Sequence, residues 1–207
     1  MDKNRLIENA RRMWDINARA MQSLAEIVDP EEYGAVFQAI LNCRGKVAAM
    51  GMGTSGVAAR KIAHMLCVAN IPAFFVSAGD AAHGAFGAVQ SGDLVIVLSK
   101  GGNTEELVNL LEAMKEKGVG LIAVTEKKDS KLAAAADICM SIVVEQESDH
   151  RHMLPTASIL AITAVFDAIA DELTRCPQFT SKAFYYNHNH GAVGAMLKQE
   201  LDGKNGG

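Results

Sequence analysis

The run Leu94-Val95-Ile96-Val97-Leu98 constrains this chain more than any other segment. Five consecutive apolar residues with three β-branched members, followed by Ser-Lys-Gly-Gly, have no polar face to offer water. They read as a strand buried on both sides of a sheet. Companions occur at Lys46 to Met50, Ala73–Val76, Leu121–Val124 and Ile138–Val143. Between them lie segments with helical spacing, at Ser55 to Ala69, Thr104 to Lys117 and Ser130 to Ala135. A long apolar helix is expected from Thr156 to Leu173. Strands alternating with helices at this interval predict an α/β sandwich of three layers, a parallel sheet with helices on both faces. Ahead of the sheet, an amphipathic helix is expected from Asn4 to Ile27 and a second from Asp29-Pro30 to Asn42.

With 207 residues the chain suffices for one domain, expected over 1–200, with 201–207 a disordered tail. A net charge of -4, three Tyr and one Trp argue against coating or stacking on nucleic acid. No window resembles a membrane span, and the charged N-terminus is unlike a signal peptide. None of Cys43, Cys67, Cys139 and Cys176 forms a CxxC pair, which fits reduced thiols in the cytoplasm better than zinc or disulfides.

Ligands of parallel sheets bind beyond the carboxyl ends of the strands, and two such ends carry glycine-rich turns. The first is Gly51-Met52-Gly53-Thr54-Ser55-Gly56; the second is Ser99-Lys100-Gly101-Gly102-Asn103-Thr104. Glycines bring backbone N–H groups close to a ligand, and a helix start adds free donors and positive potential. Neither turn is a Walker loop, and the first lacks the third glycine of a dinucleotide fingerprint. Both suit a phosphate ester.

With Pro72-Ala73-Phe74-Phe75-Val76, Ala81-Ala82-His83-Gly84, Glu147, Pro155-Thr156, His188 and Gly191-Ala192-x-Gly194, the two turns resemble the sugar isomerase (SIS) domain, in its arabinose-5-phosphate isomerase branch. Order and spacing hold from about residue 20 to 198. The resemblance implies a flavodoxin-like fold with a five-stranded parallel sheet, assembled as a homodimer or homotetramer. It implies that Ser55, Ser99 and Thr104 hold the phosphate, assisted by Lys100, Gly101 and Gly102, while Gly53, Thr54 and Asn103 line the ligand. His83, Glu147 and His188 are expected around the sugar, His188 from its own chain or from a neighbouring subunit. Members often append paired nucleotide-sensing CBS domains; the chain ends before any could start.

Three departures stand out. The first turn usually carries a lysine where this chain has Thr54. The second usually reads Ser-x-Ser-Gly-Glu-Thr, whereas Gly101 and Asn103 replace its second serine and its glutamate. Beside that turn, Lys100 is a replacement cation or a solvent-facing residue. After Glu147, an apolar family segment becomes Ser148-Asp149-His150-Arg151-His152-Met153-Leu154. His150 and His152 there suit contact with a second polar group of the ligand; metal binding and a plain exposed loop are the other readings, and no metal is assigned. The implied activity is aldose–ketose isomerisation through an enediol, with Glu147 as carbon base, His188 assisting ring opening or oxygen protons, and His83 positioning a hydroxyl. This chemistry needs no cofactor. A sugar-phosphate sensor without turnover, or an enzyme removing an amine from a phosphosugar, remains open on the same residues.

Overall fold

The five apolar runs form one all-parallel sheet. The computed structural model describes residues 2–204. Helices α1 (Lys3–Gln22), α2 (Leu24–Ile27) and α3 (Pro30–Leu41) precede β1 (Val47–Gly51), and α4 (Gly53–Val68) follows it. Next come β2 (Ala73–Ser77), the short α5 (Ala78–Ala81), a 3-10 turn at Ala85–Ala88 and β3 (Leu94–Leu98). Then α6 (Glu105–Val108), α7 (Leu111–Lys117), β4 (Gly120–Thr125), α8 (Lys131–Ala135) and β5 (Ile138–Ser141) complete the sheet, in the order β2-β1-β3-β4-β5. Helices α9 (Ala157–Thr174), α10 (Ser181–Asn187) and α11 (Gly191–Lys204) end the chain.

Alternate strand residues serve opposite cores, as pleating requires. Val47, Ala49, Ile96, Leu98, Ile122 and Val124 face α3, α4 and α9. Ala48, Met50, Val95, Val97, Leu121 and Ala123 face α5 to α8. Every residue of β1 and β3 is buried, which explains why their sequences carry no polar alternation. Asp29 caps α3 by accepting from the N–H groups of Glu31 and Glu32, and Pro30 occupies the first turn. From the same helix, Glu32 accepts from the N–H of Ser141 at 2.8 Å, tying α3 to β5.

Three elements depart from the sequence reading. The helix expected from Asn4 to Ile27 breaks at Ser23, whose hydroxyl donates to the carbonyl of Ala20. The one expected from Thr104 to Lys117 divides at Asn109-Leu110, where Leu110 N–H bonds back only three residues, to Leu107. The irregular stretch from Cys176 to Gly194 contains α10 and leads into α11, separated by Gly191 with φ of 73°. That last helix extends to Lys204, over part of the expected disordered tail; residues 205–207 lie outside the described residues.

Most of α1 stands clear of the domain. Only Ile16 and Ala20 are buried, while Leu6, Ile7 and Trp14 are exposed. No helix among the described residues is long and apolar enough to cross a membrane.

Candidate active site at the carboxyl ends of β1 and β3

In the strand order β2-β1-β3-β4-β5, the chain leaves β1 toward one edge and returns at β3 to build toward the other. The crevice between β1 and β3 is therefore the switch point at which open parallel sheets bind ligands. Both glycine-rich turns open onto it.

The first turn runs directly into α4. Gly53 and Thr54 are exposed and Ser55 half-buried, and the N-cap residue Met52 supplies no side-chain bond to the helix start. A helix of 16 residues thus begins with uncapped donors. Compactness demands glycine here: a Cβ on Gly51 would stand 2.7 Å from the carbonyl carbon of Ser55, and one on Gly56 2.7 Å from the carbonyl oxygen of Gly51.

The second turn is pinned from within. The hydroxyls of Ser99 and Thr104 lie 2.8 Å apart, and Ser99 Oγ also accepts from the N–H of Gly102 at 3.1 Å. Ser99 is buried, so it shapes the turn rather than facing the crevice, whereas Gly101 is exposed and Thr104 half-buried. Asn103 donates to the carbonyl of Gly101 and accepts from the N–H of Lys131, tethering the turn to α8. Where the related pattern has a charged glutamate, this chain has a structural amide.

Glu147, just beyond β5, is 4% exposed, and both its oxygens are saturated. Lys100 Nζ and Ser158 Oγ donate to Oε1, each at 2.5 Å. Thr156 N–H at 2.8 Å, Thr156 Oγ1 at 3.2 Å and Ser158 N–H at 3.2 Å donate to Oε2. Burial by itself would raise the carboxyl's pKa. The bonds from Lys100, Ser158 and Thr156 outweigh it and hold the group at about 2. A carboxylate held this strongly is a weaker base than an ordinary glutamate, which bears directly on the expectation that Glu147 abstracts the carbon proton.

Lys100 does not extend from the second turn as a free cation. Its ammonium lies between Glu147 and Glu126, 3.5 Å from Glu126 Oε1. Glu126 directly follows β4, and burial pushes its carboxyl above the usual range; attraction to Lys100 opposes that rise without reversing it. Glu126 Oε1 is buried and has no hydrogen bond. It borders a cavity of about 40 Å³ lined in part by Ser55, Lys100, Thr125, Ser158 and Ile162.

The histidines separate into two groups. His83 is exposed after α5, at the carboxyl end of β2, and α5 packs on α6 beside the second turn. In the loop after Glu147, His152 Nδ1 lies 2.6 Å from the carbonyl oxygen of Glu147, on a backbone with φ of 54°. Asp149 builds this loop by accepting from the N–H groups of Arg151, Met153 and Leu154. His150 is exposed. Among the described residues, no three His, Cys, Asp or Glu side chains converge as a metal site would require.

His188 lies elsewhere. It caps α10, its ring 6.2 Å from that of Phe184, and neighbouring Asn187 donates to the carbonyl of Cys67 and to Asn70, at the far end of α4. The 16 residues of α4 span about 24 Å. Within one chain, His188 is therefore about a helix length from the crevice.

Sequence reasoning missed Ser158 and Glu126. Ser158 is hidden in the apolar run of α9. Glu126 sits in the charged string Glu-Lys-Lys-Asp, which reads as surface, although its place at the end of a buried strand was a usable signal.

A parallel α/β domain with an uncapped helix start and a hydroxyl-bearing turn at its switch point is built to hold a small anionic ligand. The chain belongs to the SIS domain family, whose profile matches residues 40–171. It is 34% identical over 196 residues to arabinose 5-phosphate isomerase KdsD of Pseudomonas aeruginosa, covering 95% of this chain. It is 38% identical over 155 residues to KdsD of Escherichia coli K12, covering 75%. The chain spans 60% and 47% of those relatives' own lengths. Among solved structures, a proposed sugar-phosphate isomerase from Listeria monocytogenes superposes with TM-score 0.89 at 40% identity, over 92% of this chain and all of the other. An Escherichia coli protein in complex with arabinose 5-phosphate superposes with TM-score 0.86 at 31% identity, over 91% of this chain and 100% of the other.

Proposed function

We propose that this chain is an aldose–ketose isomerase of a phosphorylated sugar, of the arabinose 5-phosphate class. The observation that carries the reading is the opening of both glycine turns onto the β1–β3 switch point, beside the buried Glu147–Lys100 pair. The phosphate rests on the N–H groups of Gly53, Thr54 and Ser55 and on the hydroxyls of Ser55 and Thr104, with Gly101 as backbone floor. Binding there orients the sugar's carbonyl end toward Glu147 and spends recognition energy away from the reacting carbons. Replacing Ser55 and Thr104 together by Ala is expected to weaken sugar-phosphate binding by about tenfold or more; unchanged affinity by calorimetry would refute this placement.

Isomerisation moves a proton between adjacent carbons, which requires a base that changes protonation near neutral pH. Held by the donors of Lys100, Ser158 and Thr156, Glu147 serves in this reading as a fixed anion beside the sugar. Histidine is the residue type suited to the transfer, and His188 takes that role from a neighbouring copy while His83 positions a hydroxyl. A homodimer or homotetramer follows, and the exposed apolar face of α1, with Leu6, Ile7 and Trp14, suits such assembly. Light scattering at micromolar concentration is expected to show an oligomer. Mixing inactive His188→Ala subunits with inactive Ser55→Asp subunits is expected to restore part of the activity; a monomer, or no restoration after subunit exchange, would count against a shared site. The cytoplasm suits the four unpaired cysteines.

The deciding experiment is incubation with arabinose 5-phosphate in deuterated water, followed by NMR. Deuterium entering the sugar at the isomerising carbons is the expected result. Binding without exchange, across pentose and hexose phosphates, would replace the isomerase by a sensor.

A further inference from the structure

The carboxylates around Lys100 give it a task different from phosphate binding. Its side chain is 46% exposed, at the mouth of the site, while its ammonium is fixed by Glu147 at 2.5 Å and drawn to Glu126 at 3.5 Å. An ammonium carries three N–H donors. One goes to Glu147, the second faces Glu126, and the third is left for whatever enters the crevice. With both carboxylates ionised the trio carries a net charge of one negative unit, a poor counter-charge for a phosphate dianion. A neutral sugar hydroxyl or carbonyl oxygen, by contrast, gains a positioned donor without having to compete for the charge.

We propose that Lys100 is a catalytic residue that hydrogen-bonds the reacting oxygens of the sugar, and that Glu126 is a positioning residue that steers it from the side opposite Glu147. The chain thereby supplies from β3 and β4 the cation and the carboxylate that Thr54 and Asn103 leave out of the two turns. The inference rests on the sugar-phosphate reading for the chemical class of the ligand.

Glu126 makes the arrangement sensitive to pH. The charged groups facing it are Lys100, Glu147 and Lys127, and the α4 and α9 residues on its cavity, Ser55 and Ser158, do not titrate. When Glu126 is protonated the trio becomes neutral and Lys100 turns fully to Glu147. When it is ionised, Lys100 is shared between the two acids and its third donor stays free for the ligand.

Calorimetry with arabinose 5-phosphate and with inorganic phosphate, on the parent protein, Lys100→Met and Glu126→Gln, separates the possibilities. The parent is expected to bind the sugar ester more tightly than inorganic phosphate. Lys100→Met is expected to lose about tenfold in affinity for the ester and less than about twofold for inorganic phosphate. A parent without preference, an equal loss for both ligands, or no loss for either would overturn the role of Lys100. For Glu126→Gln, the ratio of the two affinities is expected to vary less with pH than in the parent, since the ligands' own titrations are common to both proteins and only that of Glu126 is removed; a ratio that varies as in the parent would overturn the role of Glu126. Thermal unfolding of each variant checks that it remains folded. Deuterium exchange by the parent reports on isomerisation separately, so a protein that binds the sugar through Lys100 but exchanges nothing would keep this inference and lose the isomerase.

Discussion

Gly102→Ala is expected to destabilise the protein by about 3 kcal/mol, and Gly101→Ala, its chain neighbour, by less than about 0.5 kcal/mol. The contrast is steric. A Cβ on Gly102 would lie 1.9 Å from Ser130 Oγ, 2.4 Å from Ser130 Cβ and 2.9 Å from Thr125 Oγ1, whereas one on Gly101 would meet nothing within 4 Å. The backbone adds to the difference, because Gly102 has φ of 64°, a region that an L side chain occupies at a cost. Nor can the neighbours yield freely. Ser130 caps α8 by accepting from the N–H of Ala133, and the carbonyl of Gly102 accepts from the N–H of Leu132. Moving either would also shift the turn that carries Thr104, so ligand affinity should fall with stability. Urea unfolding of the two variants tests this; equal midpoints would show that the turn is softer than its contacts imply.

Glu147→Ala is the second large effect, expected at about 3–5 kcal/mol. It removes the acceptor for Lys100, for both Ser158 donors and for both Thr156 donors. Ser158 is buried at the start of α9, so its two donors would lose the acceptor that satisfies them. The same cradle predicts an acid limit. The folded-state pKa lies at about 2, below its ordinary 4.5, so the stabilisation is fully present above about pH 5 and is lost as pH falls from 4.5 toward 2. A shift of this size corresponds to about 3 kcal/mol at neutral pH. Glu147→Gln should flatten that part of the pH–stability curve, measured by urea unfolding from pH 7 down to about 3. A curve as steep as the parent's would place the acid sensitivity elsewhere.

The sheet was legible because its strands are buried on both faces, and two-sided burial leaves an uninterrupted apolar signature in β1, β3 and β4. The turns were legible because close backbone approach demands glycine. Helix breaks were not: Thr104 to Lys117 keeps its apolar spacing straight through Asn109, since a three-residue bond changes the path without changing which residues face the core. At the site, residue types were readable and roles were not. Glu147 is recognisable as an acid after a strand, but the donors that hold its charge, from Lys100, Thr156 and Ser158, are brought together only by folding. Ser99, a hydroxyl expected to face the ligand, turned out to be spent on the turn itself. Glu126 sits in sequence among lysines and an aspartate, and its place directly after a buried strand is the one signal that sets it apart.

The length of α4 sets the distance between the crevice and His188. Its amino end presents the first glycine-rich turn, and its carboxyl end anchors the segment that bears His188 through Asn187. Under the proposed sharing of His188, a copy that completes a neighbour's crevice leaves its own to be completed by another. On that proposal catalytic competence would depend on concentration: diluted below the dissociation constant of the proposed assembly, the protein is expected to keep its grip on phosphate esters yet lose specific activity in proportion to the fraction of subunits standing alone.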